Sequence, residues 1–151
     1  MDQNLINGVL LTPQKRILNP NGDILHALKS SGPGYTGFGE AYFSTVHAGA
    51  IKGWKRHCRV TLNLVVPVGM IRFVIHDDRA NSLATGRFMD VKLGGENHAR
   101  LTVPPGLWMA FQGCGESHNL LLNIIDEEHD PEEADNVDLS TISFNWQDSI
   151  A

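Results

Sequence analysis

The sequence predicts an all-β chain, a small barrel or sandwich of short strands, and three observations predict it. Apolar and polar residues alternate with a period of two through most of its middle, which sends successive side chains to opposite faces of a strand. Turn-forming groups recur at short intervals, at Asn19-Pro20-Asn21-Gly22, Ser31-Gly32-Pro33-Gly34, Gly94-Gly95 and Pro104-Pro105-Gly106, as they do between many short strands. No segment carries the 3.6-residue period of a long amphipathic helix.

Taken in order, Glu40, Tyr42 and Ser44 form a polar set opposite Ala41 and Phe43. Val60, Leu62, Leu64 and Val66 share one face of a later strand, and Pro67-Val68-Gly69 turns the chain before Ile71, Phe73 and Ile75 line one side of the next. Met89, Val91 and Leu93 alternate with polar neighbours, and so do Ala99, Leu101 and Val103. Residues 120–125 are almost continuously apolar and read as a central strand buried on both faces. The acidic stretch at 126–135 reads as a solvated loop, with one short turn available on Asp130 as N-cap and Pro131 as first helical residue.

The 151 residues are expected to make a single domain, 1–151, long enough to bury a real core. A hydrophobic share of 42% with 19% charged residues is that of an ordinary globular protein. The net charge of -5 argues against a nucleic-acid or anionic-membrane surface, since both require clustered Lys and Arg. Cys58 and Cys114 are too few for a disulfide framework and match no metal spacing. Residues 1–7 lack the basic start and apolar core of a signal peptide, and no apolar run approaches the ~20 residues that span a bilayer. A cytoplasmic protein is the expectation.

The chemistry concentrates at residues 53–63. In one unbroken strand, Lys55, His57, Arg59, Thr61 and Asn63 point one way, and Trp54, Cys58, Val60, Leu62 and Leu64 point the other. The polar face belongs either to solvent, as on many antiparallel sheets, or to a cavity. Two features favour the cavity. Like charges on neighbouring same-face positions repel unless they surround an anion, and apolar flanking strands make this one central, so that its polar face is a barrel lumen. Tyr42 offers a stacking surface and a hydroxyl, and Asn123 places an amide in a buried strand, where it needs partners. His118 precedes that strand.

These residues sit in a frame that resembles the dTDP-4-dehydrorhamnose 3,5-epimerase family of cupins. The densest match is residues 86–106, Gly-Arg-Phe-Met-Asp-Val-Lys-Leu-Gly-Gly-Glu-Asn-His-Ala-Arg-Leu-Thr-Val-Pro-Pro-Gly. It is similar, without a gap, to the family's G-x-[WF]-x-x-V-x-L-[ST]-x-E-N-x-x-x-L-x-[IV]-P-P-G. Asp77-Asp78-Arg79 falls where the family has an aspartate and an arginine, and Ile51-Lys52-Gly53-Trp54-Lys55 resembles its L-R-G-L-H. The resemblance spans most of residues 6–146.

It implies a cupin jelly-roll barrel that binds a nucleoside-diphosphate 4-keto sugar and inverts carbons beside the ketone through an enolate. Such chemistry needs a base near neutral pKa, a donor toward the ketone oxygen and cations for the diphosphate. By this resemblance His57 and Lys55 are the candidate catalytic residues, and Glu40, Tyr42, Lys52, Arg59, Asn63, His118 and Asn123 the candidate substrate-binding ones. The chain also departs from the family. Lys55 stands at the catalytic histidine of R-G-L-H, while His57 resembles the second histidine of the R-G-x-H-A-H motif of the related 3,4-ketoisomerases. Met109 replaces a histidine, residues 127–131 carry no tyrosine, and the chain ends before the segment in which the epimerases hold an aspartate against their base. With Lys55 and Met109 at cupin ligand positions, no metal or other cofactor is expected. Two readings stand: a sugar-nucleotide epimerase or ketoisomerase of altered chemistry, and a catalytically reduced nucleotide-sugar binder or accessory subunit in polysaccharide assembly. The apolar face containing Trp54 and Leu62 makes a homodimer the expectation.

Overall fold

The computed structural model describes residues 6–147; the extreme N-terminus read above for a leader, residues 1–5, lies outside the described residues. The strands are β1 (Leu10–Pro13), β2 (Arg16–Ile17), β3 (Ile24–Leu25), β4 (Glu40–Thr45), β5 (Ile51–His57) and β6 (Leu62–Val68). They continue with β7 (Met70–His76), β8 (Phe88–Gly94), β9 (Ala99–Val103), β10 (Trp108–Gly113), β11 (Leu120–Ile125) and β12 (Ala134–Asn136). Among the described residues the helical elements are two 3-10 turns, Pro131–Glu133 and Leu139–Thr141, and no helix is long and apolar enough to cross a membrane.

Two five-stranded sheets form the body, in the orders β1-β9-β6-β11-β4 and β12-β5-β10-β7-β8, with β2 and β3 as a separate hairpin. Pairings between these strands are antiparallel. From β4 onward the chain passes repeatedly from one sheet to the other, the interleaving of a cupin jelly-roll barrel. The alternation predicts the inner faces correctly. Ile71, Phe73 and Ile75 of β7 stand opposite Leu93, Val91 and Met89 of β8, and all six are buried against Leu62, Leu64, Leu101 and Val103 from the facing sheet.

At the crossing from β6 to β7, β6 runs through Pro67 to Val68, so the turn contracts to Gly69. There φ is +81°, and a Cβ would stand 2.1 Å from the His118 carbonyl oxygen; only glycine fits. β11 is central, as expected. Its Leu121, Asn123 and Ile125 are buried toward the barrel, while Leu120, Leu122 and Ile124 are half-buried outside.

A second apolar cluster lies on the outer face of the second sheet, where Trp54, Val74, Trp108 and Ala110 are covered by Val137, Leu139, Ile142, Phe144 and Trp146. Trp54 donates from Nε1 to the Leu139 carbonyl at 3.0 Å. This corrects the reason given for a homodimer. Trp54 is 1% exposed and Leu62 4%, because the chain's own C-terminal segment covers the first and the barrel encloses the second. The solvated reading of 126–135 is corrected too. Asp130 does cap the turn, accepting from the Glu132 amide at 3.0 Å, but the turn drives Glu133 inward until it is 3% exposed.

Candidate active site

β5 forms one wall of a cavity of about 400 Å³ inside the barrel. Its register against β10 pairs Met109 with Lys55 and Phe111 with Lys52, two steps on β10 against three on β5. Met109 and Phe111 share a face, so both lysines point into the cavity. Strict alternation separates residues 52 and 55; the bulge at Gly53-Trp54 reunites them. Gly53 makes it possible: φ is +147°, and a Cβ would come within 2.4 Å of the Ala110 Cβ.

Lys52, exposed at the cavity mouth, donates from Nζ to the Thr45 carbonyl at 2.6 Å. Lys55 is half-buried deeper in the wall. His57, next on the same face, lies with Nδ1 2.5 Å from Oε1 of Glu133. A carboxylate only accepts, so the bridging proton belongs to Nδ1, and Nε2 is the ring nitrogen that Glu133 leaves unengaged. The other oxygen of Glu133 accepts the consecutive amides of Cys58, Arg59 and Val60 at 2.7, 2.7 and 3.0 Å. Burial pushes the Glu133 carboxyl up, but the Arg59 amide, the His57 ring and the Val60 amide outweigh it and bring the group from 4.5 down to about 2.

The opposite wall comes from β4 and β11. Tyr42 and Asn123 stand opposite each other in the ladder, and Asn123 donates from Nδ2 to the Tyr42 hydroxyl at 2.9 Å. Burial and then the charge of Glu40 raise the Tyr42 pKa, partly offset by the Asn123 bond, so the phenol stays protonated. Asn123 Oδ1 is buried without a partner. Ser44 and Asn136 complete the polar lining, and among the described residues no Asp or Glu lines the cavity.

The structure thus gathers Lys52, Lys55, His57, Tyr42 and Asn123 on one cavity and moves the remaining candidates away. Residues 53–63 are not one strand. β5 ends at His57 because three successive amides turn toward Glu133, and β6 restarts at Leu62 with its faces exchanged. Arg59 is consequently outside, pairing with Glu127 at 3.2 Å and Asp130 at 3.7 Å. Asn63 faces the outer side of the first sheet, accepting from Arg100 and Thr102 and donating to the Gly34 carbonyl. Glu40 turns to the His129 amide at 2.8 Å, outside the cavity lining, and His118 sits exposed on the loop before β11. Sequence reasoning missed Glu133 and Asn136. The proline-led cap at Asp130 was the available signal for a turn there, but nothing local singles out Glu133 among its acidic neighbours.

No family model matches the chain. Among solved structures, the dTDP-sugar isomerase of Desulfovibrio desulfuricans superposes with a TM-score of 0.90 at 34% identity, covering 96% of this chain and 94% of that one. The dTDP-4-dehydrorhamnose 3,5-epimerase of Bacillus anthracis, solved with TDP and PPi bound, shares the fold with a TM-score of 0.80 at 21% identity over 95% of this chain and 87% of its own. Among curated proteins, a probable low-salt glycan biosynthesis epimerase of Haloferax volcanii is 29% identical over 96 residues. That match covers 63% of this chain and 62% of the Haloferax protein, less than two thirds of its length.

Proposed function

The chain belongs to the dTDP-sugar isomerase family of cupins, and from that premise we propose that it is an epimerase or isomerase of a nucleoside-diphosphate 4-keto sugar. It works by proton abstraction next to the ketone, in deoxysugar or surface polysaccharide biosynthesis. The observation that carries this reading is the His57–Glu133 pair, at 2.5 Å, opening onto a cavity that holds two lysines and no carboxylate.

In this reading His57 Nε2 removes the proton from a carbon beside the ketone, and buried Glu133 stabilises the imidazolium that forms. Lys55, two residues away on the same wall, lies beside the ketone oxygen and neutralises the developing enolate. Lys52 at the mouth meets the diphosphate. Inversion needs a proton from the other face, and the Tyr42 hydroxyl on the opposite wall is the donor available there. Asn123 holds a sugar hydroxyl through the acceptor that the protein leaves unpaired. Arg59, Asn63 and His118 take no part, and Glu40 serves only by holding the loop beyond β11. The chain acts as one domain in the cytoplasm. It acts as a homodimer through the β4 edge of the first sheet, where Phe43 is 65% exposed on the outer face.

Lys55 at the position of the family's histidine base favours one second reading, a binder with reduced catalysis. Incubation in deuterium oxide with dTDP-, UDP-, GDP- and CDP-linked 4-keto sugars, followed by NMR at the C3 and C5 protons, separates the two. Exchange that is lost in His57→Ala and Lys55→Ala supports the enzyme. Binding without exchange supports the second reading, and neither binding nor exchange overturns both.

A further inference from the structure

On the side of the first sheet away from the sugar cavity, Arg100 of β9 is 1% exposed, and among the described residues it pairs with no carboxylate. Its Nε donates to the Ala27 carbonyl at 2.9 Å, and its Nη1 donates to the Pro33 carbonyl, Asn63 Oδ1 and Thr102 Oγ1 at 2.9, 2.9 and 3.2 Å. These acceptors satisfy hydrogen bonds on two of the three guanidinium nitrogens but leave the charge itself unneutralised. Burying a charge without a counter-charge is unfavourable, and burial does hold this arginine below its ordinary pKa.

The third nitrogen, Nη2, makes no hydrogen bond among the described residues. Arg100 lines an open space together with Gly32, the residue beside Nη2. That space is a cleft of about 310 Å³ between β1, β9 and the loop at 26–33, lined by Arg100, Lys15, His26 and Lys29 and by no acidic residue. Gly32 keeps the approach clear, since a Cβ there would stand 3.4 Å from Nη2. Two exposed lysines alone would be an ordinary solvated surface. A buried, uncompensated guanidinium at the floor of the same cleft makes it a built site.

We propose that this cleft is a second anion site, separate from the sugar cavity, which takes a phosphate group on Arg100 Nη2 between Lys15 and Lys29. With Nε and Nη1 held by the protein, Nη2 donates a charge-assisted hydrogen bond to a phosphate oxygen, the flanking ammonium groups supply the rest of the charge, and the volume leaves room for a small organic portion attached to the phosphate. The site owes nothing to the sugar-nucleotide reading. Its residues lie on the outer face of the sheet whose inner face bears Tyr42 and Asn123.

The test is a titration of the full chain with inorganic phosphate and, separately, with glycerol phosphate, at constant pH and at an ionic strength held with chloride. Ring resonances of His26 report the cleft and those of His57 report the sugar cavity. The expected result is a saturable His26 shift. Lys15→Ala combined with Lys29→Ala weakens it about three- to tenfold, as the loss of two solvent-screened charge contacts predicts, with an unchanged Tm and an unchanged His57 response. Equal saturation by the ester assigns the cleft to a phosphorylated metabolite, and saturation by inorganic phosphate alone assigns it to the free ion. A His26 response that chloride reproduces, or an affinity that the double variant leaves intact, overturns the proposal.

Discussion

Glu133 lies 76 residues from His57 in the chain and 2.5 Å from it in space, with one carboxylate oxygen on the imidazole and the other on the amides of the turn that ends β5. One buried side chain therefore both terminates a strand and orients the proposed base. Replacement of Glu133 by Gln keeps the volume and removes the charge. Hydrogen bonds to a charged group contribute about 1.5–3 kcal/mol each, so Glu133→Gln is expected to lower stability by about 2–3 kcal/mol in urea unfolding and to slow proton exchange at the substrate. A variant as stable as the parent chain would show that the amide contacts do not need the charge.

The same carboxyl sets an acid limit. Its pKa is about 2 in the folded chain against an ordinary 4.5. Its contribution is therefore complete above pH 4.5 and is lost as the pH falls from there toward about 2. A drop of that size corresponds to about 3 kcal/mol. Asp77, fully buried, adds to the loss over nearly the same window. Burial raises its carboxyl, but Arg79 and Ser82 bring it from 3.8 to about 2. Urea midpoints measured between pH 6 and pH 2.5 should fall steeply below 4.5, and Glu133→Gln should flatten the curve. Parallel curves would mean that Glu133 is not the titrating group.

Asn123 should report the difference between stability and binding. Its Oδ1 is buried and unpaired, and leaving such a group unsatisfied costs about 1–3 kcal/mol. Asn123→Leu is expected to hold or raise the Tm of the unliganded protein while raising KM for the sugar nucleotide. A large loss of Tm would mean that the Tyr42 bond carries the structure instead.

Arg59 and Lys52 offer a paired test of which cation meets the diphosphate. Arg59 is paired with Glu127 and Asp130 on the outside, whereas Lys52 lines the mouth of the cavity. Arg59→Ala should leave nucleotide affinity unchanged, and Lys52→Ala should weaken it about tenfold, as loss of a charge-assisted contact predicts. Calorimetric titration with dTDP measures both; the reverse order would restore Arg59 to the site.

Much of this protein is readable residue by residue. The period-two alternation at 71–75, 89–93 and 99–103 is a local property, because each side chain's face follows from its neighbours' backbone, and those inner faces stand as the sequence predicts them. Lys55, His57, Tyr42 and Asn123 could be chosen for the same reason, as polar groups at positions where a strand turns them inward. What depended on distant parts of the chain was not readable. The break at 58–60 is made by a carboxylate more than seventy residues away, and it exchanges the faces of β6 relative to β5, removing Arg59 and Asn63 from the cavity. Lys52 enters because a bulge adds one residue to β5 opposite β10, and bulges are set by the partner strand. Local stereochemistry determined the strands and their apolar faces; long-range contacts, which sequence spacing does not encode, decided which polar groups meet.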